Sequence, residues 1–276
     1  MTHFVTDSSC DLPLEFIEEH NIETVPLTIR VNNQEFNEGI NITPHEFYEL
    51  MYNSKSLPKT AHPSPASFAR VFDKLGKDGE DVICLTIAST LSGAYQSACI
   101  AKNMTKTIVH VFDTLAASSG HALQVMKAVE LSKQCNMTSE IIEKLKKYRD
   151  KMDIFILLDT LDNIIKGGRL SKLHGTIAKI MDVKVLLRNF GGTIKMVEKI
   201  RGKKKSLKKV LEMIGQSKNK ALSDNYFYIT HVDNAEDAEF IKKEIMRLFS
   251  PKGVFIHEMG PTVSTYAGKG GLIISY

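Results

Sequence analysis

The chain has 276 residues, 43% of them hydrophobic and 25% charged, with a formal net charge of +4. These values fit a folded globular protein of one large or two modest domains, and they exclude a disordered chain and a dominant polyanion-binding charge. Cys10, Cys84, Cys99 and Cys135 stand far apart without a CxxC pair, which disfavours both a dense disulfide framework and a zinc site.

In chain order, residues 1–11 are acidic and polar where an export signal needs a basic and then an apolar stretch. The most apolar runs, such as residues 154–158, fall far short of the roughly 20 residues of a membrane helix. A cytoplasmic protein is expected. Residues 4–7 read as a first strand, Asp11 and Pro13 start a helix through Phe16 and Ile17, and residues 23–31 read as one extended segment. Thr43 and Glu46 form a capping box with Pro44 at the first helical position. Ser64 and Pro65 repeat the cap-then-proline signal, and Phe68, Val71, Phe72 and Leu75 then fall on one helical face, directed at the core. Residues 81–86 and 107–113 are short β-branched runs, each succeeded by a polar loop and a helical pattern, as in central parallel strands. Cys84 falls in such an apolar run and reads as core. Helices over about 118–133 and 138–151 close this half.

Beyond Lys151 the character changes. Residues 154–159 are a strand, and Gly167, Gly168, Gly191 and Gly192 punctuate the chain after it. Residues 183–188 and 193–200 flank the Gly191-Gly192 turn as a hairpin, so this part is at least partly antiparallel. Next come a helix over 203–216, a strand over 226–231, a helix over 235–249 and strands near 254–258 and 272–275. The fold class is α/β: an open parallel-sheet N-terminal domain over 1–152 and a second α/β domain with a partly antiparallel sheet over 153–276.

In open parallel sheets ligands lie beyond the carboxyl ends of the strands. Here those ends carry Asp7, Ser8 and Ser9, then Ser89 to Gly93, then Asp113, Thr114, Ser118 and Ser119, while Thr60 precedes a capped helix. Ser92 and Gly93 feed the helix 94–102, whose free N–H groups suit a carboxylate or phosphate; equally, Ser92 is simply the cap of that helix. Asp7 and Asp113 read as loop-holding carboxylates, and His62 and His121 as solvated or capping. A small-molecule hydrolase or transferase using the Ser92 loop, or Asp7 as base, is the alternative, but no GxSxG supports it. Gly268-Lys269-Gly270-Gly271 is not a Walker motif, no GxGxxG comes after the first strand, and no HxH or HExxH occurs, so no cofactor and no metal are expected. The basic run Lys199, Arg201, Lys203, Lys204, Lys205, Lys208 and Lys209 is a solvated face or a docking surface for an acidic or phosphate-bearing partner. Without interleaved aromatics, nucleic acid is not expected.

Several stretches in order resemble the DegV family of bacterial fatty-acid-binding proteins, which includes the binding subunit of fatty acid kinase. They are Val5 through Pro13, Val25-Pro26-Leu27, Thr60 through Pro65, Ser92-Gly93-Ala94-Tyr95-Gln96-Ser97-Ala98, Gly167-Gly168-Arg169-Leu170-Ser171 and Arg201-Gly202-Lys203. The resemblance implies a two-domain protein holding a palmitate-like fatty acid between its domains. Positions matching Thr60 and Ser92 bond the carboxylate, with Gly93 and Tyr266 beside them, and the acyl chain enters an apolar tunnel. Arg169 and Arg201 match positions near the head group or the kinase-facing surface, and Ser118 is grouped with them. In kinase-associated members a separate kinase phosphorylates the bound acid, so a non-catalytic role in lipid transport or fatty acid metabolism is implied, with transient membrane contact allowed. Burying about fifteen methylenes at roughly 0.8 kcal/mol each supplies on the order of 12 kcal/mol gross. The family commonly carries histidine where this chain has Tyr266, whose O–H donates to a carboxylate but brings no imidazolium charge.

Overall fold

The computed structural model describes residues 2–76, 79–170, 183–217 and 222–276. Its first sheet is parallel and four-stranded, in the order β2-β1-β6-β7, formed by β1 (Thr2–Asp7), β2 (Glu23–Val25), β6 (Asp81–Thr86) and β7 (Val109–Asp113). Around it lie α1 (Leu14–Glu19), α3 (Pro65–Leu75), α4 (Ala94–Lys102), α5 (Ser119–Ser132) and α6 (Thr138–Lys151). Registers such as Thr6↔Leu85 and Thr86↔Asp113 bring the carboxyl ends of β1, β6 and β7 to one edge, where the loops after Asp7, Thr86 and Asp113 converge. Cys84, at the centre of β6, is fully buried.

The expected single segment over 23–31 is two strands in different sheets. Pro26 has no N–H for a ladder, and the chain leaves β2 there to enter β3 (Thr28–Val31) of an antiparallel three-stranded sheet with β4 (Gln34–Asn37) and β5 (Lys59–Ala61). Val31 pairs with Gln34 across Asn32 and Asn33, at φ +47° and +66°, positive at both central positions as a type I′ hairpin turn requires. The small sheet leads into α2 (Pro44–Tyr52), where the Thr43–Glu46 capping box forms in full.

The third sheet is mixed and six-stranded, ordered β10-β9-β8-β13-β11-β12. It contains β8 (Ile154–Leu158), β9 (Val183–Phe190), β10 (Thr193–Arg201), β11 (Tyr226–His231), β12 (Gly253–Glu258) and β13 (Leu272–Ser275). The 183–200 hairpin is antiparallel as expected, while β11 and β12 are parallel. Strand alternation divides the core. Phe155 and Leu157 of β8 join Phe227, Ile229 and Ile241 beneath α8 (Lys203–Gly215) and α9 (Ala235–Phe249). Ile154, Ile156 and Leu158 point the other way and pack with Ile29, Phe47, Tyr48 and Val263. Two short helices, α7 (Asp162–Lys166) and α10 (Pro261–Ala267), were not anticipated; α10 is announced only by Pro261 at its first position.

Helix α5 lies between the two large sheets and is buried almost all round. Its small residues permit this: a Cβ on Gly120 would come within 2.5 Å of Ile154, and Ser119 bonds Ser275 across the contact at 2.8 Å. Two members of the basic run are paired locally, Lys203 2.9 Å from Asp237 and Lys209 3.2 Å from Glu212. The exposed Lys209–Glu212 pair adds little to stability.

Candidate functional site

A cavity opens between the carboxyl-edge loops of the parallel sheet and the Ile154–Ile156–Leu158 face of β8, with about 910 Å³ of space free of atoms, part of it open to solvent. Ile87, Leu91, Ala116 and Ala117 of the loops face Ile154, Ile156, Leu158, Ile164, Ile194, Val263 and Ile273, so most of its wall is hydrocarbon. Its polar groups include Thr60, His62, Ser92, Arg169 and Tyr266.

Each of these side chains is held by a different element. Thr60 precedes its capped helix as read, and sits in β5, paired with Ile29 of β3. Its hydroxyl is 2.6 Å from that of Tyr266 on α10, 206 residues away. Ser92 ends the loop after β6; its Oγ accepts the Ala94 N–H at 3.3 Å, while Gly93 stands at the cap position of α4. That loop is carried on Asp7, whose Oδ2 accepts the Ile87 N–H at 2.7 Å, and on Asp113, whose Oδ1 accepts the Ser89 N–H at 3.2 Å. Both carboxylates therefore act as loop holders. Thr90 also donates to the Gly192 carbonyl, fastening the loop to the β9–β10 hairpin tip.

Arg169 spans the mouth. Its Nε donates to the Leu91 carbonyl at 3.2 Å and its Nη1 to the Gly167 carbonyl at 2.6 Å, and the guanidinium lies 4.9 Å from the centre of the Tyr266 ring, within cation–π range. The Tyr266 ring in turn rests on Gly167, where an added Cβ would overlap its Cδ1 and Cε1. Gly167 has an ordinary helical backbone, so Gly167→Ala is expected to act mainly through the ring, with a lesser contact at 3.2 Å to the Asn163 carbonyl oxygen. The overpacking should cost about 1–3 kcal/mol in thermal denaturation and break the Thr60–Tyr266 hydrogen bond.

Helix α10 is positioned by two buried carboxyls. Asp11 Oδ1 accepts the Gly260 N–H at 3.0 Å, while Glu38 accepts the Thr262 N–H and hydroxyl, each at 2.7 Å, and the Ser8 hydroxyl at 2.6 Å. Burial raises both acids above the usual carboxylate range; for Asp11 the neighbouring Glu38 charge adds to the rise. A Cβ on Gly260 would lie 2.5 Å from Asp11 Oδ1 and 2.8 Å from Glu38 Oε1, so only glycine allows this approach.

Thr60, Ser92, Gly93, Arg169 and Tyr266 thus gather at one cavity mouth. Ser118 and Arg201 do not. Ser118 is fully buried, bonded to Asp11 and, at 2.7 Å, to the Thr230 hydroxyl, and it lines no part of the cavity. Its place is structural. Arg201 is exposed at the end of β10, away from the lining residues. Ser171, at the end of the Gly167 motif, lies outside the described residues. His62, read as solvated or capping, lines the cavity; only its neighbourhood to Thr60 signalled this. Ser92 Oγ is bonded to no histidine or carboxylate among the described residues, and no cluster of three or more metal-ligating side chains occurs among them. No helix among them is long and apolar enough to cross a membrane.

A family model described as an uncharacterised protein of the DegV family matches residues 1–276. The chain belongs to the DegV family. It is 31% identical to a DegV domain-containing protein of Staphylococcus aureus over 276 residues, covering 98% of this chain and 97% of the relative. Among solved structures it resembles DegV of Bacillus subtilis, described as a fatty acid binding protein, at 27% identity and a TM-score of 0.90, over 99% of this chain and 98% of that one. It also resembles the fatty acid kinase (Fak) B3 protein of Streptococcus pneumoniae, solved loaded with linoleic acid, at 28% identity and a TM-score of 0.87, over 100% and 99% of the chains. The α/β architecture, with one parallel and one mixed sheet, is that of these DegV structures.

Proposed function

We propose that this protein binds one long-chain fatty acid of palmitate-like length and performs no chemistry on it. The carboxylate sits among Thr60, Ser92, Gly93 and Tyr266, next to Arg169, and the acyl chain lies along the hydrocarbon wall. One observation carries the reading: an apolar cavity whose mouth joins two hydroxyls at 2.6 Å beside the Ser92–Gly93 start of α4. Such an asymmetric lining suits a ligand with one anionic end and a long apolar body, because hydroxyls and helix N–H groups satisfy the anion while the wall replaces water around the chain. The fatty acids bound by DegV relatives support it.

In this reading residues 1–152 and 153–276 are two domains with the head group between them. The protein works in the cytoplasm, in lipid transport or fatty acid metabolism, with the fatty acid as its only ligand. A separate fatty acid kinase is the partner to which the carboxylate is presented, and exposed Arg201 belongs to the surface that meets it. Native mass spectrometry of the purified protein, with solvent extraction afterwards, should find one long-chain acid per chain. An empty protein that takes up no labelled palmitate would overturn the reading.

A further inference from the structure

Most polar groups at the cavity mouth are already committed. The hydroxyls of Thr60 and Tyr266 bond each other at 2.6 Å, and Arg169 spends Nε and Nη1 on the carbonyls of Leu91 and Gly167. His62 differs. Its Nδ1 lies 3.2 Å from the Pro63 carbonyl oxygen and 3.1 Å from Ser97 Oγ on α4. A carbonyl oxygen only accepts, so Nδ1 carries a proton and these contacts fix the ring. The ring packs on Gly93, where a Cβ would stand 2.6 Å from Nε2. Nε2 therefore lies against the turn that starts α4, and it has no hydrogen-bond partner among the described residues. The residue is exposed and lines the cavity, so its ring stands where ligand and solvent both reach it.

We propose that His62 is a specificity-determining residue of the head-group site, with Nε2 hydrogen-bonded directly to the fatty acid carboxyl; the inference rests on the fatty-acid reading of the cavity. An imidazolium donates Nε2–H to a carboxylate, and a neutral ring protonated at Nδ1 accepts the O–H of a carboxylic acid, so either arrangement places one proton between Nε2 and a carboxyl oxygen. A methyl ester has neither the charge nor the proton. His62 thereby selects a free acid over an esterified chain of the same length, a discrimination the apolar wall cannot make.

The test compares palmitate with methyl palmitate by displacement of a fluorescent fatty acid from the wild type, His62→Asn and His62→Gln. An asparagine amide reaches the place of Nδ1 and a glutamine amide the place of Nε2. His62→Asn should weaken palmitate about tenfold or more, as expected for one hydrogen bond to a charged group, leave methyl palmitate unchanged, and so narrow the preference for the acid by the same factor. His62→Gln should restore most of the palmitate affinity. Wild-type affinity for palmitate in His62→Asn, or equal losses for both ligands, would overturn the assignment while leaving the fatty-acid reading intact. A wild type that binds neither ligand would overturn both.

Discussion

Replacing Thr60 and Ser92 together by alanine is expected to weaken palmitate binding by about two to four orders of magnitude, because each hydroxyl that donates to a carboxylate contributes about 1.5–3 kcal/mol. Both side chains are half-buried at the mouth, so their loss opens no core cavity, and thermal stability should stay within about 1 kcal/mol of the wild type. The acyl chain meets the same Ile154–Leu158 wall in the variant, so an ester of the same chain should lose far less affinity than the acid. The single variants carry a second message. Thr60 and Tyr266 hydroxyls bond each other at 2.6 Å, so Thr60→Ala and Tyr266→Phe should be non-additive, whereas either combined with Ser92→Ala should be closer to additive. Unchanged palmitate affinity in the Thr60/Ser92 double variant would remove both residues from the carboxylate site.

The same residues show how far sequence alone reaches. Local signals read well: the Thr43–Glu46 capping box, the Ser64–Pro65 helix start and strands β1, β6 and β7 of the parallel sheet depend on neighbours in the chain, and each formed where its residues indicated. Residues 23–31 misled because β-branched runs look alike whichever sheet they join; the Pro26 break and the Asn32–Asn33 turn held the information that two sheets are involved. Ser92 and Gly93 were legible because a strand end feeding a helix is a local pattern. The bond between Thr60 and Tyr266 was not, since it spans 206 residues and depends on where the unanticipated α10 docks. Resemblance supplied Thr60 and Tyr266 as names; only folding makes them partners. Nor was the Asp11–Glu38 pair visible, because nothing near either residue in sequence reveals that both are buried against one helix start.

That carboxyl pair gives the second large expectation, a stability that falls as pH rises. Glu38 accepts three hydrogen bonds, from Ser8 and from the Thr262 N–H and hydroxyl, so it is the better site for a negative charge. Asp11 accepts from Gly260 and Ser118, with Glu38 nearby, and is raised well above the ordinary range by burial and then by that charge. The proton therefore belongs to Asp11. A folded-state pKa above the unfolded value means that the native chain binds more protons, so the contribution is complete below pH ~4 and is lost as pH rises toward the folded value. Asp11→Asn removes the titration and keeps the bonding: its Oδ1 still accepts the Gly260 N–H, and its amide can donate to Ser118 if Ser118 turns its own proton to Thr230, 2.7 Å away. Asparagine also tolerates the left-handed φ of +49° at this position. Chemical denaturation should therefore show Asp11→Asn gaining on the wild type by at least about 1 kcal/mol between pH 5 and pH 8. The exposed acids with lowered values, Glu46, Glu140 and Glu244, are common to both proteins and cancel in the comparison. Because Asp11 and Glu38 hold the start of α10, and α10 brings Thr262, Val263 and Tyr266 to the cavity, palmitate affinity in the wild type should decline over the same pH range more than in the variant. A difference between the two proteins that does not change with pH would show that Asp11 stays ionised in the fold across this range.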